Sequence, residues 1–163
     1  IVDQGLQLLD GQVTRFFADL QHTVSAGDAD DHVKIVMKRE NGAVVDVEVS
    51  SCIAYPTPEY FVVGKYGTLT GSTRKFKYKY YDPAQVPELV ADEGPAEGRS
   101  YGQPEDLPWV EKEEEIDTSG DVKVTFYENL YEAIRKDAPL IVTPESVRRQ
   151  IAFFDEVRAQ AGF

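Results

Sequence analysis

Two segments with a strict two-residue alternation, HVKIVMKR (32–39) and AVVDVEVSSCI (43–53), constrain the fold more than any other part of the sequence. Their alternate apolar side chains share one face of a β-strand: Val33, Ile35 and Met37 in the first segment, and Val45, Val47 and Val49 in the second. The two faces meet only in the register that places position 37 opposite position 45, which leaves Glu40, Asn41 and Gly42 as the loop. We therefore expect an antiparallel hairpin with Gly42 in the left-handed conformation.

Further strands are predicted on both sides of this hairpin. They share β-branched, aromatic or alternating residues and are bounded by turn residues: residues 13–24, 59–63, 67–70, 75–80 and, as a charged edge strand, 109–117. From Asp82 to Trp109 the sequence holds five prolines and three glycines. A stretch of this length without regular structure is typical of an active-site lid or a surface insertion.

The end of the chain has the periodicity of two helices. Phe126, Leu130 and Ile134 form one apolar stripe, at intervals of four residues. For the last helix, Thr143 is a suitable N-cap, Pro144 fits the first turn and Gly162 is a suitable stop. One side of this helix is expected to be apolar and to face the core: Val147, Ile151, Phe154 and Val157.

A run of strands followed by helices indicates the α+β class, with an antiparallel or mixed sheet covered on one face by helices. The 163 residues are the size of one domain, so we expect a single domain over 1–163. The net charge of −12 argues against nucleic-acid binding. No apolar run approaches the roughly 20 residues of a membrane span. With Cys52 as the only cysteine, a cytoplasmic location is expected.

Histidines beside carboxylates raise the question of a metal site. His22 and His32 are the two histidines, and the sequence DADDH places carboxylates next to one of them. Zinc needs three or four converging ligands, and loop carboxylates more often form turns. We therefore predict no metal site.

Three segments, taken in order, resemble the C-terminal domain of the glucose-fructose oxidoreductase/inositol dehydrogenase/MocA (Gfo/Idh/MocA) family of NAD(P)-dependent oxidoreductases. DQGLQLLD (3–10) is similar to the family's D-x-G-x-H-x-x-D segment, and EYFVVGKYGTLTG (59–71) to its strand-turn-strand with a G-x-x-G turn. The end of the chain, with VTPE before the last helix, resembles the family's closing helices. The resemblance implies a dihydrodipicolinate-reductase-like C-terminal domain, with an open, mostly antiparallel or mixed sheet and helices packed on one face.

This resemblance also implies an activity. The parent protein is expected to be an oxidoreductase that uses NAD or NADP, bound mainly by a preceding nucleotide-binding domain, and that acts on a sugar- or polyol-like small molecule. It is expected to form a homodimer or tetramer through the open sheet face. The sequence contains neither the G-x-G-x-x-G of a dinucleotide fold nor the family's Glu-Lys-Pro motif, so the chain alone is expected to be inactive.

The first motif supplies the candidate catalytic residues. By the resemblance, Asp3 matches the family's Asp, and Gln7 stands where the family has the His that takes the hydroxyl proton. A neutral amide cannot titrate. The parent therefore uses another base, such as a Lys of the nucleotide domain or a Tyr of the long stretch, or catalyses different chemistry, or binds a ligand without catalysis. Alternatively, Asp3 and Gln7 only satisfy nearby backbone groups.

Within the long stretch, Arg99, Tyr101 and Trp109 are candidate substrate-binding residues, with Arg99 pairing an anionic group. The alternative for these three is a surface insertion that packs its aromatic side chains locally or against another subunit. For the whole chain, the rival function is a non-catalytic ligand-binding or protein-interaction module that has the same fold. One departure from the family pattern remains: only Gly11 and Gln12 separate Asp10 from the first strand, where family members have a helix of several turns.

Overall fold

The computed structural model describes residues 1–9, 11–86, 107–117 and 126–162. These residues form seven antiparallel strands, with one α-helix before the strands and two after them. In chain order the elements are α1 (Val2–Leu9), β1 (Val13–Gln21), β2 (His32–Arg39), β3 (Val44–Ser50), β4 (Tyr60–Gly64), β5 (Gly67–Gly71), β6 (Lys75–Tyr80), β7 (Val110–Glu115), α2 (Phe126–Lys136) and α3 (Pro144–Ala161). The α+β class predicted from the sequence is confirmed.

Among the described residues, the strands belong to two sheets. β1, β2 and β3 form one sheet in that order, and β4 to β7 form a second in chain order. Where it is described, the chain divides into two units, Ile1–Tyr55 with Val124–Phe163 and Pro56–Lys123. The first unit holds the three-stranded sheet and the helices, and the second holds the four-stranded sheet.

The predicted hairpin forms in the predicted register. Met37 lies opposite Val45, and two residues earlier Ile35 lies opposite Val47. The backbone N–H of Arg39 donates to the carbonyl oxygen of Ala43 at 2.9 Å, which closes the loop. Gly42 has φ = 90°, a conformation that costs an L-residue with a side chain considerably more than glycine. Packing of the two apolar faces thus decided the loop length.

One face of the first sheet forms the core, together with α1 and α3. The buried apolar side chains are Val2, Leu6, Leu9, Ala18, Ile35, Met37, Val47, Phe153 and Val157. The Phe16 and Phe153 rings meet edge to face, with centroids 5.2 Å apart. Since the inward positions of all three strands are apolar, this face excludes water and provides most of the stabilisation of the unit.

The ends of α3 lie where the sequence predicts them, but its apolar side is used differently. The Thr143 side chain accepts a hydrogen bond from the Ser146 backbone N–H at 3.1 Å, and Gly162 ends the helix at φ = 71°. Val157 is buried as predicted. Val147 and Ile151, by contrast, are 43% and 53% exposed and line a groove beside α2, because only the C-terminal half of α3 packs on the sheet.

In the second sheet, strand β6 has one aromatic and one charged face. Phe76, Tyr78 and Tyr80 follow one another on one face of β6, and the rings of Tyr78 and Tyr80 stack at 5.9 Å. On the other face, the Lys75 Nζ lies 2.5 Å from a Glu113 carboxylate oxygen of β7. β7 is the charged edge strand predicted from the sequence, and such exposed ion pairs contribute little stability.

A carboxylate ends β1 three residues earlier than the sequence predicts. Asp31 accepts hydrogen bonds of 2.6–2.7 Å from the backbone N–H groups of Thr23, Val24 and Ser25, and from the Thr23 hydroxyl. The chain therefore turns after Gln21 instead of continuing as a strand, although residues 22–24 have a sequence compatible with one.

These bonds predict an acid-sensitive loop. Desolvation raises the pKa of Asp31, but the Thr23 hydroxyl and the three backbone N–H groups outweigh it and hold this pKa well below its usual range. Stabilisation by Asp31 is therefore complete above the unfolded-state pKa near 4 and is lost as the pH falls toward the folded-state value. We expect Asp31→Asn to destabilise the chain at pH 7 and to flatten the loss of stability between pH 4 and 2, measured by urea unfolding.

The matched control is Asp28→Asn, which removes an exposed carboxylate of the same loop. If both variants show the same dependence of unfolding free energy on pH, Asp31 has no special role in holding the loop.

Candidate active site on the first helix

Helix α1 carries the motif with the candidate catalytic residues. Val2, Leu6 and Leu9 lie at intervals of four and three residues and are buried against the sheet. Asp3, which is partly buried, and Gln7, which is exposed, lie on another side of the helix. The sequence analysis did not assign a helix here, although the apolar spacing of these three residues was the signal for one.

Gly5 lets α1 lie directly on the sheet. A Cβ atom at this position would be 2.9 Å from the Met37 Cε, 3.1 Å from a Val47 Cγ and 3.3 Å from a Val45 Cγ. Glycine costs roughly 1 kcal/mol relative to alanine inside a helix. Its presence here is explained by the close approach of the helix to β2 and β3, which fixes the position of the motif.

Arg39 of β2 caps the C-terminal end of α1. The Arg39 Nη1 donates to the carbonyl oxygen of Leu9 at 3.0 Å, one of the helix carbonyl groups that has no partner within the helix. Gly11 leaves room for this side chain, since a Cβ there would be 2.5 Å from the Arg39 Nε. A positive charge at a helix C-terminus is favourable. Sequence analysis missed this residue because the contact spans 30 positions.

Asp3 and Gln7 form a pair along the helix. The Gln7 Nε2 donates to an Asp3 carboxylate oxygen at 2.5 Å, across one helical turn. The pair offers carboxylate oxygens and an amide group to a polar ligand, which is suited to binding and orienting a hydroxyl. An amide that is held in this way can act as a hydrogen-bond donor and acceptor but cannot take up a proton.

The remaining candidate residues are not all described. Trp109 belongs to the second unit, where its ring meets the Tyr81 ring edge to face at 5.1 Å and lies 5.2 Å from the Lys79 Nζ. Its local packing agrees with either a substrate contact or a surface cluster. Arg99 and Tyr101 lie outside the described residues.

The described residues do not fit a dinucleotide or a metal. Gly64 and Gly67 face one another across the two-residue turn between β4 and β5, whereas a pyrophosphate site needs glycines between a strand and a helix. Among all the residues that the structure describes, no group of three or more His, Cys, Asp or Glu side chains is arranged to hold a metal ion. None of the helices described here has the length and hydrophobicity of a transmembrane segment.

A protein-family model matches the first part of the chain. Residues 1–70, which include α1 and its Asp-x-Gly-x-Gln motif, match the model of the GFO/IDH/MocA C-terminal domain. The first part of this chain is therefore similar in sequence to Gfo/Idh/MocA C-terminal domains. The resemblance noted from the sequence is thereby confirmed. No curated protein matches the chain.

Solved structures extend the similarity in fold over nearly the whole chain. An NAD-binding protein from Listeria innocua is 19% identical with a TM-score of 0.70, and 99% of this chain covers 47% of it. An oxidoreductase from Bacillus cereus is 16% identical with a TM-score of 0.69, and the match covers 97% of this chain and 46% of the oxidoreductase. UDP-N-acetylglucosamine 3-dehydrogenase GnnA from Acidithiobacillus ferrooxidans is 18% identical with a TM-score of 0.64, and the match covers 98% of this chain and 45% of GnnA. The chain spans less than half the length of these proteins.

The close approach of α1 predicts a specific intolerance at Gly5. Gly5→Val should lower the free energy of unfolding by about 1–3 kcal/mol, because its methyl groups would overlap Met37 and Val47. Leu8→Val is the matched control, since it places the same β-branched side chain at an exposed position of the same helix. Urea unfolding should find the control within about 0.5 kcal/mol of the parent sequence. Equal losses in the two variants would mean that helix propensity, not packing, determines the residue at position 5.

Proposed function

We propose that the chain as a whole, 1–163, is the substrate-binding and oligomerisation domain of an NAD(P)-dependent oxidoreductase acting on a sugar, a polyol or a related hydroxy compound. NAD or NADP is bound mainly by a nucleotide-binding domain outside these residues, and the chain alone is inactive. The parent is cytoplasmic and assembles as a homodimer or tetramer through the open sheet face.

The Asp3–Gln7 pair carries the proposal. The pair lies on a side of α1 that is not used for the core, in a segment that matches the family model and resembles the family's D-x-G-x-H motif. Gly5 and Arg39 fix the helix at its middle and at its C-terminus. A ligand bound beside α1 therefore meets a polar pair that is already oriented, which reduces the entropic cost of binding.

Each residue of the pair has a distinct role in this proposal. Oxidation of a secondary alcohol removes a hydride from carbon, which the bound nicotinamide accepts, and a proton from the hydroxyl group. Asp3 fixes the orientation of the Gln7 amide, and the amide hydrogen-bonds the substrate oxygen. Gln7 thus acts in binding and orientation, since its amide cannot accept the proton.

The base that accepts the proton lies elsewhere in the parent protein. A Lys of the nucleotide-binding domain or a Tyr of the 82–109 stretch, such as Tyr101, fills this role. Arg99, Tyr101 and Trp109 are the proposed substrate-binding residues. The Trp109 ring suits a sugar ring, because aromatic faces give large contact area at low entropic cost.

A sugar-like substrate is chosen for two reasons. The amide and carboxylate oxygens of the pair are suited to hydroxyl groups, of which sugars and polyols carry many. Among the similar solved structures, GnnA is named as a dehydrogenase of a nucleotide sugar.

A second function is favoured by the same residue. Gln7 has no titratable group where the family has its His, and its amide is already paired with Asp3. Both facts agree with a non-catalytic ligand-binding or protein-interaction module of the same fold.

Cofactor titration separates the two functions. We expect NAD(H) or NADP(H) to quench or shift fluorescence when added to the parent protein extended upstream, and to have no effect on the 163-residue chain. Failure of the longer protein to bind either nucleotide would exclude the oxidoreductase and leave the non-catalytic module.

Substitution of Gln7 tests its role in a parent protein that turns over a polyol. Gln7→Ala should lower kcat/KM at least about tenfold without changing nucleotide affinity, because a hydrogen bond to substrate is lost. The pH profile should keep its shape, since no ionisable group is removed, whereas Gln7→His should add a limb near neutral pH. Leu8→Ala, at an exposed position of the same helix, is the matched control. Equal activity of Gln7→Ala and Leu8→Ala would remove Gln7 from the site.

A further inference from the structure

A cleft of about 360 Å³ lies on the aromatic face of β6 and extends across β5 to β4. The residues that line it all belong to the second unit. Pockets for small molecules are concave, mostly apolar and roughly 300–1,000 Å³ in volume, with a few polar groups that orient the ligand. The cleft therefore has the size for one small ring, and not for a peptide or a chain of sugars.

Strand pairing builds the cleft from two neighbouring rows of residues. In one row, Val62 lies opposite Leu69, and Leu69 lies opposite Tyr78. The next row, two residues along the strands, consists of Gly64, Gly67 and Tyr80. Because side chains two residues apart share a face of the sheet, the two glycines leave a depression beside the Tyr80 ring.

The two glycines differ in what explains them. A Cβ atom at Gly67 would be 2.7 Å from the Tyr80 Cβ, so glycine is needed there for the close approach of β5 to β6. At Gly64 a Cβ atom would meet the Gly67 carbonyl oxygen at 3.4 Å, an ordinary contact, and the φ angle of Gly64 is not positive. Neither packing nor a left-handed backbone thus accounts for Gly64, whereas a side chain there would fill the cleft.

Aromatic rings form one side of the cleft. The rings of Phe76 and Tyr78 lie 6.1 Å apart at 31°, and those of Tyr78 and Tyr80 lie 5.9 Å apart at 23°. Rings side by side at such small angles present a nearly flat surface. Aromatic faces give large contact area at low entropic cost, and the C–H groups on one face of a pyranose ring are suited to pack against them.

One polar pair lies at the cleft. The Tyr78 hydroxyl donates to a Glu114 carboxylate oxygen at 2.5 Å, and this hydrogen bond raises the pKa of Tyr78. The carboxylate keeps its second oxygen as an acceptor for hydroxyl groups. Among the described lining residues, Glu114 presents the charge, because the Lys79 Nζ lies 5.2 Å from the Trp109 ring centroid. A carboxylate in an apolar cleft disfavours an anionic ligand.

We propose that this cleft binds a neutral sugar through one pyranose ring, with the apolar face of the ring on Tyr78 and Tyr80 and its hydroxyl groups on the Glu114 carboxylate. This inference goes beyond the proposed function, because it concerns the second unit and requires neither the nucleotide nor the Asp3–Gln7 pair.

Filling the cleft tests the proposal. Gly64→Leu places an aliphatic side chain in the depression, and Val63→Leu is the matched control, since position 63 lies on the opposite face of β4 and is 71% exposed. The probe is methyl β-D-glucopyranoside, a neutral sugar, added to the 163-residue chain and followed by saturation-transfer NMR. We expect a Kd in the millimolar range, weakened at least about tenfold by Gly64→Leu and less than about twofold by Val63→Leu.

Glu114→Gln gives a second measurement that does not depend on tolerance of a side chain at position 64. It should weaken glucoside binding at least about threefold, because the charged acceptor is lost. Glu111→Gln, which removes the same charge from the other face of β7, should leave binding within about twofold of the parent chain. D-glucuronate should bind the parent chain more weakly than the glucoside, and this difference should shrink in Glu114→Gln.

The outcomes are distinct from those of the nucleotide titration, which reports on the parent's cofactor site. A chain that does not bind the glucoside, or that binds indole in its place, overturns the proposal. Equal weakening by a variant and its control overturns it as well. Loss of binding in Gln7→Ala but not in Gly64→Leu would assign the sugar to the Asp3–Gln7 pair and not to the cleft.

Discussion

The packing of α1 on β2 and β3 is the contact on which the first unit depends. Three of the nine core residues that the structure describes come from α1. Met37 of β2 is fully buried and lies directly beneath Gly5 of this helix. An eight-residue helix is too short to be stable in water by itself, so it persists because its apolar side is buried. The orientation of Asp3 and Gln7 therefore follows from core packing and not from local helix propensity.

Parts of the fold that depend on local patterns could be predicted from the sequence. The hairpin register follows because alternation and loop length admit one solution, and the structure has Met37 opposite Val45. The ends of α3 follow from Thr143, Pro144 and Gly162, since capping involves residues within one turn of the helix. Asp3 and Gln7 were chosen from their resemblance to the family motif, whereas the helix that places them one turn apart was not assigned from the sequence.

Other features depend on contacts distant in sequence and could not be predicted. Asp31 ends β1 by accepting hydrogen bonds from a segment whose own residues favour a strand. Val147 and Ile151 have the same periodicity as Val157, yet only Val157 packs in the core, because only the C-terminal half of α3 packs on the sheet. The division into two sheets and the Arg39 cap of α1 are of this kind too, since no local pattern encodes them.

The chain's acidity and its strand edges are connected. A net charge of −12 discourages non-specific association, and the strand with most charge per residue, β7, lies at a sheet edge. At β1 the same protection is achieved by the neutral amide of Gln160, because that edge lies beside α3 and charge there would be costly to desolvate. Protection is thus matched to the surroundings of each of these two edges.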